Sequence, residues 1–177
     1  MSTAGRAKRS VVHAPPAWLK PVYVGSIASR PVITIAADAP AREAGEVMRA
    51  EKIRHLPVLD AEGRLAGIVT DRDLRQVIFD PSIRERLGAA ADTLAGVLVR
   101  EVMTWGAVTV HPDSDVRDAA LLMHELKISA LPVVENGAVV GIVTAHDLVA
   151  ALVDALRTHV TTARPIAAPP AGAGPEE

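Results

Sequence analysis

The chain has 177 residues, a formal net charge of −2, and 49% hydrophobic against 23% charged residues, a balance that is typical of a globular protein. Mixed charges and few aromatic residues, one Phe, one Tyr and two Trp, provide neither the basic surface nor the stacking groups that nucleic-acid binding uses. The absence of cysteine excludes disulfides, thiol catalysis and cysteine-ligated metals; with no apolar run of about 18 residues and no signal-peptide core, we expect a cytoplasmic protein outside the membrane.

The N-terminal residues 1–21 contain four basic residues and no acidic one, and Pro15-Pro16 interrupts any helix. This composition predicts a disordered leader, because it offers little apolar surface to bury. A basic docking arm is the alternative.

The first repeat, residues 22–81, predicts a strand, a helix, a hairpin and a second helix. The β-branched run Val32–Ile35 indicates the strand, and Pro40 stands where a helix can begin. Leu56–Leu59 and Leu65–Val69 form the hairpin, since a glycine lies in the five residues between them. A helix follows directly after the hairpin.

The second repeat, residues 99–156, has the same order of elements. Val108–Val110 corresponds to the first strand, and Ser114 is the expected N-cap of the helix that follows. Two apolar runs joined by Asn136-Gly137 are the strongest hairpin signal in the chain. The connecting residues 82–98 predict a linker with a short helix, and the Pro/Ala/Gly-rich residues 157–177 predict a disordered tail.

One motif occurs in both repeats, as Gly67–Leu74 and again 74 residues later as Gly141–Leu148. Each copy reads glycine, two β-branched residues, threonine, two variable residues, aspartate and leucine. A separation of this length is too long for a solenoid and indicates a small domain that is used twice.

The order of elements, with this motif at the start of each second helix, resembles the cystathionine β-synthase (CBS) domain in its usual tandem pair, the Bateman module. Ile53–Val58, Ile128–Val133 and Glu101–Thr104 fit the same family. The resemblance covers roughly residues 22–155. It implies an α/β (α+β) fold of two CBS-like β-α-β-β-α repeats packed as a pseudo-two-fold pair.

Pairs of this family bind adenosine compounds (AMP, ADP, ATP, S-adenosylmethionine or NAD) between the repeats, and the resemblance implies such a regulatory ligand here. The aspartate of the motif would hold the ribose hydroxyls and the threonine would reach a phosphate, which nominates two pairs: Thr70 with Asp73, and Thr144 with Asp147. Arg72 and His146 would face phosphates. The adenine would lie against one of two segments, Thr34, Ile35, Ile53, His55 and Pro57 or Thr109, Val110, Ile128, Ala130 and Pro132.

The chemistry of the motif is consistent with this role. A helix that begins right after a strand presents unpaired N–H groups and a positive dipole end to an anion, and a carboxylate in its first turn can accept hydrogen bonds from a ribose diol. The same threonine and aspartate also form a capping-box variant that only satisfies the helix, so this alternative stays open. The sites differ, since Arg72 is permanently charged whereas His146 is mostly neutral near pH 7, and Ala145 replaces the phosphate-repelling Asp71.

We expect a sensor rather than an enzyme, because the sequence holds no nucleophile with a partnered base and no metal-ligand spacing. Ligand binding would shift the arrangement of the repeats, provided that the ligand prefers one arrangement. Since the flanks of about 20 residues hold no effector domain, the state would pass to an unidentified partner protein, and apolar helix faces predict a homodimer. The alternatives are a ligand-free interaction scaffold and, with less support, nucleic-acid binding through the basic leader.

Overall fold

The structure, a computed structural model, describes residues 21–79 and 94–157. Within these ranges the helices and strands are, in chain order, α1 (Val24–Ile27), β1 (Ile35–Ala36), α2 (Ala41–Ala50), β2 (His55–Leu59), β3 (Leu65–Thr70), α3 (Asp71–Phe79), α4 (Val99–Val102), β4 (Thr104–Trp105), α5 (Val116–Leu126), β5 (Ala130–Glu135), β6 (Ala138–Thr144) and α6 (Ala145–Arg157). The predicted leader, nearly all of the predicted tail, and most of the linker with its short helix lie outside the described residues.

The strands form two sheets. One has the order β1-β2-β3-β4, with β1 parallel to β2 and the other neighbours antiparallel, and β5 and β6 pair as an antiparallel hairpin. Helices α2, α3 and α4 pack with the first sheet, and α1, α5 and α6 pack with the second. The α/β fold of two repeats is therefore confirmed.

Each sheet has its own hydrophobic core, because its strands bury one β-branched or leucine-rich face against helices. The core of the four-stranded sheet contains Ile35, Ala41, Ala44, Met48, Leu56, Val58, Val69, Leu74, Val77, Val97, Val99 and Met103. The core of the hairpin contains Val24, Val110, Ala119, Met123, Leu131, Val133 and Val143.

The segment that leads into each repeat packs on the other repeat. Val24 in α1 belongs to the core under β5 and β6, and its N–H donates to the carbonyl oxygen of Ser114 at 2.9 Å. Val99 in α4 lies in the core of the four-stranded sheet, and its N–H donates to the carbonyl oxygen of Ala39 at 2.9 Å. The two packing units thus exchange their leading segments and do not coincide with the sequence repeats.

Both predicted hairpins are confirmed, because their turn residues adopt the backbone that a tight turn requires. Gly63 has φ of +76°, and Asn136 and Gly137 have φ of +50° and +81°. Positive φ at two successive residues is the property of the type I′ turn, which Asn-Gly favours. The helix predicted directly after Thr70 is confirmed as well.

The two strands predicted ahead of the helices are wrong in extent. Of Val32–Ile35 only Ile35 lies in a strand, and of Val108–Val110 only Val110 pairs, through an isolated bridge to Val133. The residues before them leave the sheet and line cavities between the repeats instead.

The N-cap of α5 is Asp115 rather than the predicted Ser114. Asp115 Oδ1 accepts a hydrogen bond from the N–H of Arg117 at 2.8 Å. Ser114 Oγ accepts from the N–H of His111 at 3.0 Å, so this hydroxyl holds the preceding turn and is not used by the helix.

Candidate functional site

Two cavities lie between the repeats. The smaller, of about 320 Å³, is lined by Thr144, His146 and Asp147 and is called the His146 cleft. The larger, of about 670 Å³, is lined by Thr70, Arg72 and Asp73 among others and is called the Arg72 cleft. Both volumes fall in the range of about 300–1,000 Å³ that small-molecule sites occupy.

Each cleft has a strand-to-helix junction in its wall. Strand β3 passes directly into α3, and β6 passes directly into α6. Val69 and Val143, the residues just before the two threonines, are fully buried. Because side chains alternate along a strand, the threonines that follow point to the opposite side, where the cleft lies. The sequence thereby places the first turn of a helix, with its positive dipole end, at each cavity.

In both repeats the threonine and aspartate form the same reciprocal cap. The N–H and the hydroxyl of Thr70 donate to Asp73 Oδ2 at 2.9 and 2.7 Å, and the Asp73 N–H donates to Thr70 Oγ1 at 3.3 Å. The distances for Thr144 and Asp147 are 2.8, 2.7 and 3.3 Å. These bonds use one carboxylate oxygen, Oδ2, so the cap does not occupy Oδ1, which remains available to accept a hydroxyl.

The wall opposite each cap comes from the other repeat. Ile33 and Ile53 of the first repeat line the His146 cleft. Val108 and Ile128 of the second repeat line the Arg72 cleft. Each cleft therefore joins a polar helix start to an apolar surface across the interface between the repeats.

Three residues, Arg54, His55 and Ser129, line both clefts. His55 Nε2 and Ser129 Oγ are hydrogen-bonded at 2.9 Å across the interface. Burial, followed by the charge of Arg54, lowers the pKa of His55 below its usual 6.5, although the carboxylates of Asp71 and Asp73 oppose the shift. A neutral imidazole therefore forms part of the partition between the cavities.

The clefts carry different charges. The Arg72 cleft is lined by four permanent cations and two carboxylates, Arg54, Arg72, Arg75 and Lys127 with Asp71 and Asp73. The His146 cleft is lined by two permanent cations and one carboxylate, Lys52 and Arg54 with Asp147. An anionic group meets an excess of positive charge in both, and the excess is larger in the Arg72 cleft.

Ten of the predicted site residues line a cleft: Ile53, His55, Thr70, Arg72, Asp73, Ile128, Ala130, Thr144, His146 and Asp147. Six do not: Thr34, Ile35, Pro57, Thr109, Val110 and Pro132. Pro57 and Pro132 are fully buried within their strands, so they present no face to a purine. Ile35 and Val110 are core residues for the same reason of burial.

Sequence reasoning missed several lining residues, including Ile33, Lys52 and Arg54 in the first repeat. Their counterparts 75 residues later, Val108, Lys127 and Ser129, line the other cleft. The constant offset between the repeats was the available signal, because any residue that lines one cleft identifies a candidate in the other.

Two negative findings concern only residues 21–79 and 94–157. No helix there is both long and apolar enough to cross a bilayer. The same part of the chain contains no group of three or more His, Asp or Glu side chains arranged to hold a metal ion.

The two repeats match a known family. The family model described as the CBS domain matches residues 24–80 and 99–154. The chain therefore belongs to the CBS domain family and carries two copies of the domain, as the resemblance of its motifs indicated.

Two relatives illustrate the range of proteins to which the chain is similar. A CBS domain-containing protein of Dictyostelium discoideum is 35% identical over 136 residues, which cover 76% of this chain and 94% of that protein. The L-aspartate semialdehyde sulfurtransferase of Methanocaldococcus jannaschii is 30% identical over 149 residues, 84% of this chain but only 26% of the enzyme. The chain thus spans about a quarter of the length of that enzyme.

Solved structures of CBS pairs have the same fold. The CBS domain pair of protein MJ0100, in complex with 5′-methylthioadenosine and S-adenosyl-L-methionine, has a TM-score of 0.66 at 29% identity, covering 77% of this chain and 99% of that one. CBSX2 in complex with AMP has a TM-score of 0.63 at 28% identity, covering 76% and 98%. The neighbours thus include CBS pairs with bound adenosine compounds.

Proposed function

We propose that this protein is a regulatory sensor that binds an adenosine compound in the His146 cleft, the Arg72 cleft or both. Asp73 and Asp147 accept hydrogen bonds from the ribose hydroxyls, and Thr70 and Thr144 lie toward the phosphate. The base lies against the apolar wall that the other repeat supplies. AMP, ADP, ATP, S-adenosylmethionine and NAD are the candidate ligands.

The observation that carries this proposal is the duplicated geometry. Each cleft combines a Thr–Asp cap with a free carboxylate oxygen, an adjacent helix start and an apolar wall from the opposite repeat. Solved neighbours with the same fold hold AMP, 5′-methylthioadenosine or S-adenosyl-L-methionine. Because each cleft is built from both repeats, a ligand that fits one relative placement better than another shifts the population of that placement.

Thermal unfolding of the stripped full-length chain against the five candidate ligands tests the proposal. A ligand at about 100 times its Kd stabilises the folded state by about 2.7 kcal/mol, which raises Tm by roughly 5–10 °C at this size. Asp73→Ala and Asp147→Ala each remove the contribution of one cleft, and the double variant abolishes the shift. The matched control Asp113→Ala, at an exposed position outside both clefts, keeps it.

A ligand-free interaction scaffold is the second candidate function. The observation in its favour is that each Thr–Asp pair already satisfies its helix through three hydrogen bonds without any ligand. On this reading Asp73→Ala and Asp147→Ala cost only the cap, about 1 kcal/mol each, and no adenosine compound changes Tm.

We further propose that the protein is a homodimer and that its state is read by a separate effector protein. The helix α6 exposes a stripe of apolar side chains, with Val149 and Leu152 57% and 56% exposed, beside an apolar groove of about 310 Å³ against α5. Leu152→Glu is expected to halve the molar mass measured by light scattering, whereas Ala150→Glu on the same helix leaves it unchanged. Equal masses for Leu152→Glu and the unmodified chain would contradict this interface.

A further inference from the structure

We propose that the two clefts select adenosine compounds by phosphate content, the Arg72 cleft taking the di- or triphosphate and the His146 cleft taking a ligand with one phosphate or none. This inference rests on the proposed function, since it assigns a ligand class to each of the same two cavities. It is carried by the charge, the volume and the ion pairing of the described residues.

The charge difference is concentrated at one position. Arg72 and His146 are both the second residue of the helix that begins at their cleft, α3 and α6 respectively, and both side chains are exposed. Lys127 in one cleft corresponds to Lys52 in the other, and Arg54 is shared. These cations therefore act similarly in both clefts, and the permanent charge of Arg72 distinguishes them.

A carboxylate next to Arg72 does not cancel this advantage. Asp71 would repel a phosphate, but Arg75 one turn later forms an ion pair with it at 2.9 Å. In the second repeat the corresponding residues are Ala145 and Val149, which carry no charge. The pair adds no net charge to the Arg72 cleft, and Arg75, which also lines the cavity, is within reach of a longer phosphate chain.

The volumes agree with the charges. The Arg72 cleft holds about 670 Å³ and the His146 cleft about 320 Å³. Each further phosphate adds both volume and negative charge, so it requires a cavity with more room and more cations. Only the Arg72 cleft offers more of both among the cavities of the described residues.

Titration calorimetry on full-length single-cleft variants tests this selection. Asp147→Ala leaves the Arg72 cleft intact, and Asp73→Ala leaves the His146 cleft intact. With AMP, ADP and ATP as the probes, we expect Asp147→Ala to bind ATP at least tenfold more tightly than AMP. The Asp73→Ala variant is expected to differ by less than threefold between the same two ligands.

Exchange of the distinguishing residues sharpens the test. Arg72→His in the Asp147→Ala background is expected to lower the ratio of ATP to AMP affinity, and His146→Arg in the Asp73→Ala background to raise it. The matched control Arg49→His, on the exposed side of α2 and outside both clefts, leaves both ratios unchanged.

Three outcomes would overturn the inference. Equal ratios in the two single-cleft variants, or a higher ratio in the His146 cleft, refute phosphate selection and leave adenosine binding itself standing. Ratios that ignore both exchanges show that position 72/146 does not determine the ligand. Failure of every adenosine compound to bind the unmodified chain overturns the proposed function together with this inference.

Discussion

The Arg72 cleft and the His146 cleft share a backbone arrangement but differ in exposed charge. Their Thr–Asp caps agree within 0.1 Å in each hydrogen-bond length, since half-buried side chains hold the junction of a strand and a helix. Arg72 and His146, by contrast, are exposed. Exposed positions change at little cost in stability, so one cleft can acquire a different charge while the duplicated scaffold is retained.

The largest expected difference between the two halves concerns their equivalent glycines. A Cβ on Gly67 would lie 2.2 Å from the carbonyl oxygen of Thr104 in β4, whereas on Gly141 the nearest atom is Ser29 O at 3.3 Å. Gly67→Ala is therefore expected to lower the free energy of unfolding by about 3 kcal/mol or to displace β4, and Gly141→Ala by less than about 1 kcal/mol. Urea denaturation measures both, and equal losses would contradict the close pairing of β3 with β4.

A smaller difference is expected at the caps of the first long helix in each half. Asp115 caps α5, whereas its counterpart Pro40 makes no side-chain cap on α2. Asp115→Ala is expected to cost about 1 kcal/mol at pH 7, and the exposed Asp113→Ala is the control that should cost less than about 0.5 kcal/mol.

The same cap should depend on acid. Hydrogen bonds from Arg117 lower the pKa of Asp115 from 3.8 to about 2. A carboxyl group whose pKa is lower in the folded state stabilises above its unfolded pKa, and this contribution is lost as the pH falls toward 2. Asp115→Asn keeps an acceptor for the helix but no charge, so its stability should approach that of the unmodified chain as the pH falls from 4 to 2. A gap that stays constant over this range would exclude the charge as the cause.

The smallest expected effect concerns His55, whose counterpart in the second repeat is Ala130. Because burial and Arg54 lower the pKa of His55, the unfolded chain binds its proton at a higher pH than the folded chain does. Stability from this residue is complete above pH 6.5 and is lost as the pH falls below that value. We expect His55→Ala to flatten the dependence of Tm on pH between 7.5 and 5.5, and the exposed His124→Ala to leave it unchanged. An identical pH profile for His55→Ala would remove the histidine from this account.

The sequence predicts those features that depend on neighbouring residues. The turns at Gly63 and Asn136-Gly137 and the caps at Asp73 and Asp147 are local, so residue type and spacing are sufficient to identify them. The same locality explains why the repeat could be recognised from one motif.

The remaining features depend on contacts between distant parts of the chain. Which apolar wall faces which cap is decided by the packing of one repeat on the other, so the pairing of Ile33 with Thr144 was not predictable from spacing. Burial depends on the same packing, and it removes Pro57 and Pro132 from the cavity surface. The cap at Asp115 was missed because both Ser114 and Asp115 have suitable side chains and only the folded turn shows that Ser114 is already used.

A crystal structure of the full chain with AMP tests the central claim most directly, because that claim is that one nucleotide contacts both repeats at once. We predict that the ribose lies within hydrogen-bond distance of Asp147 and that the base lies against Ile33 and Ile53 from the opposite repeat. Clefts that stay empty at saturating AMP, or a nucleotide whose ribose and base contact a single repeat, would contradict the account.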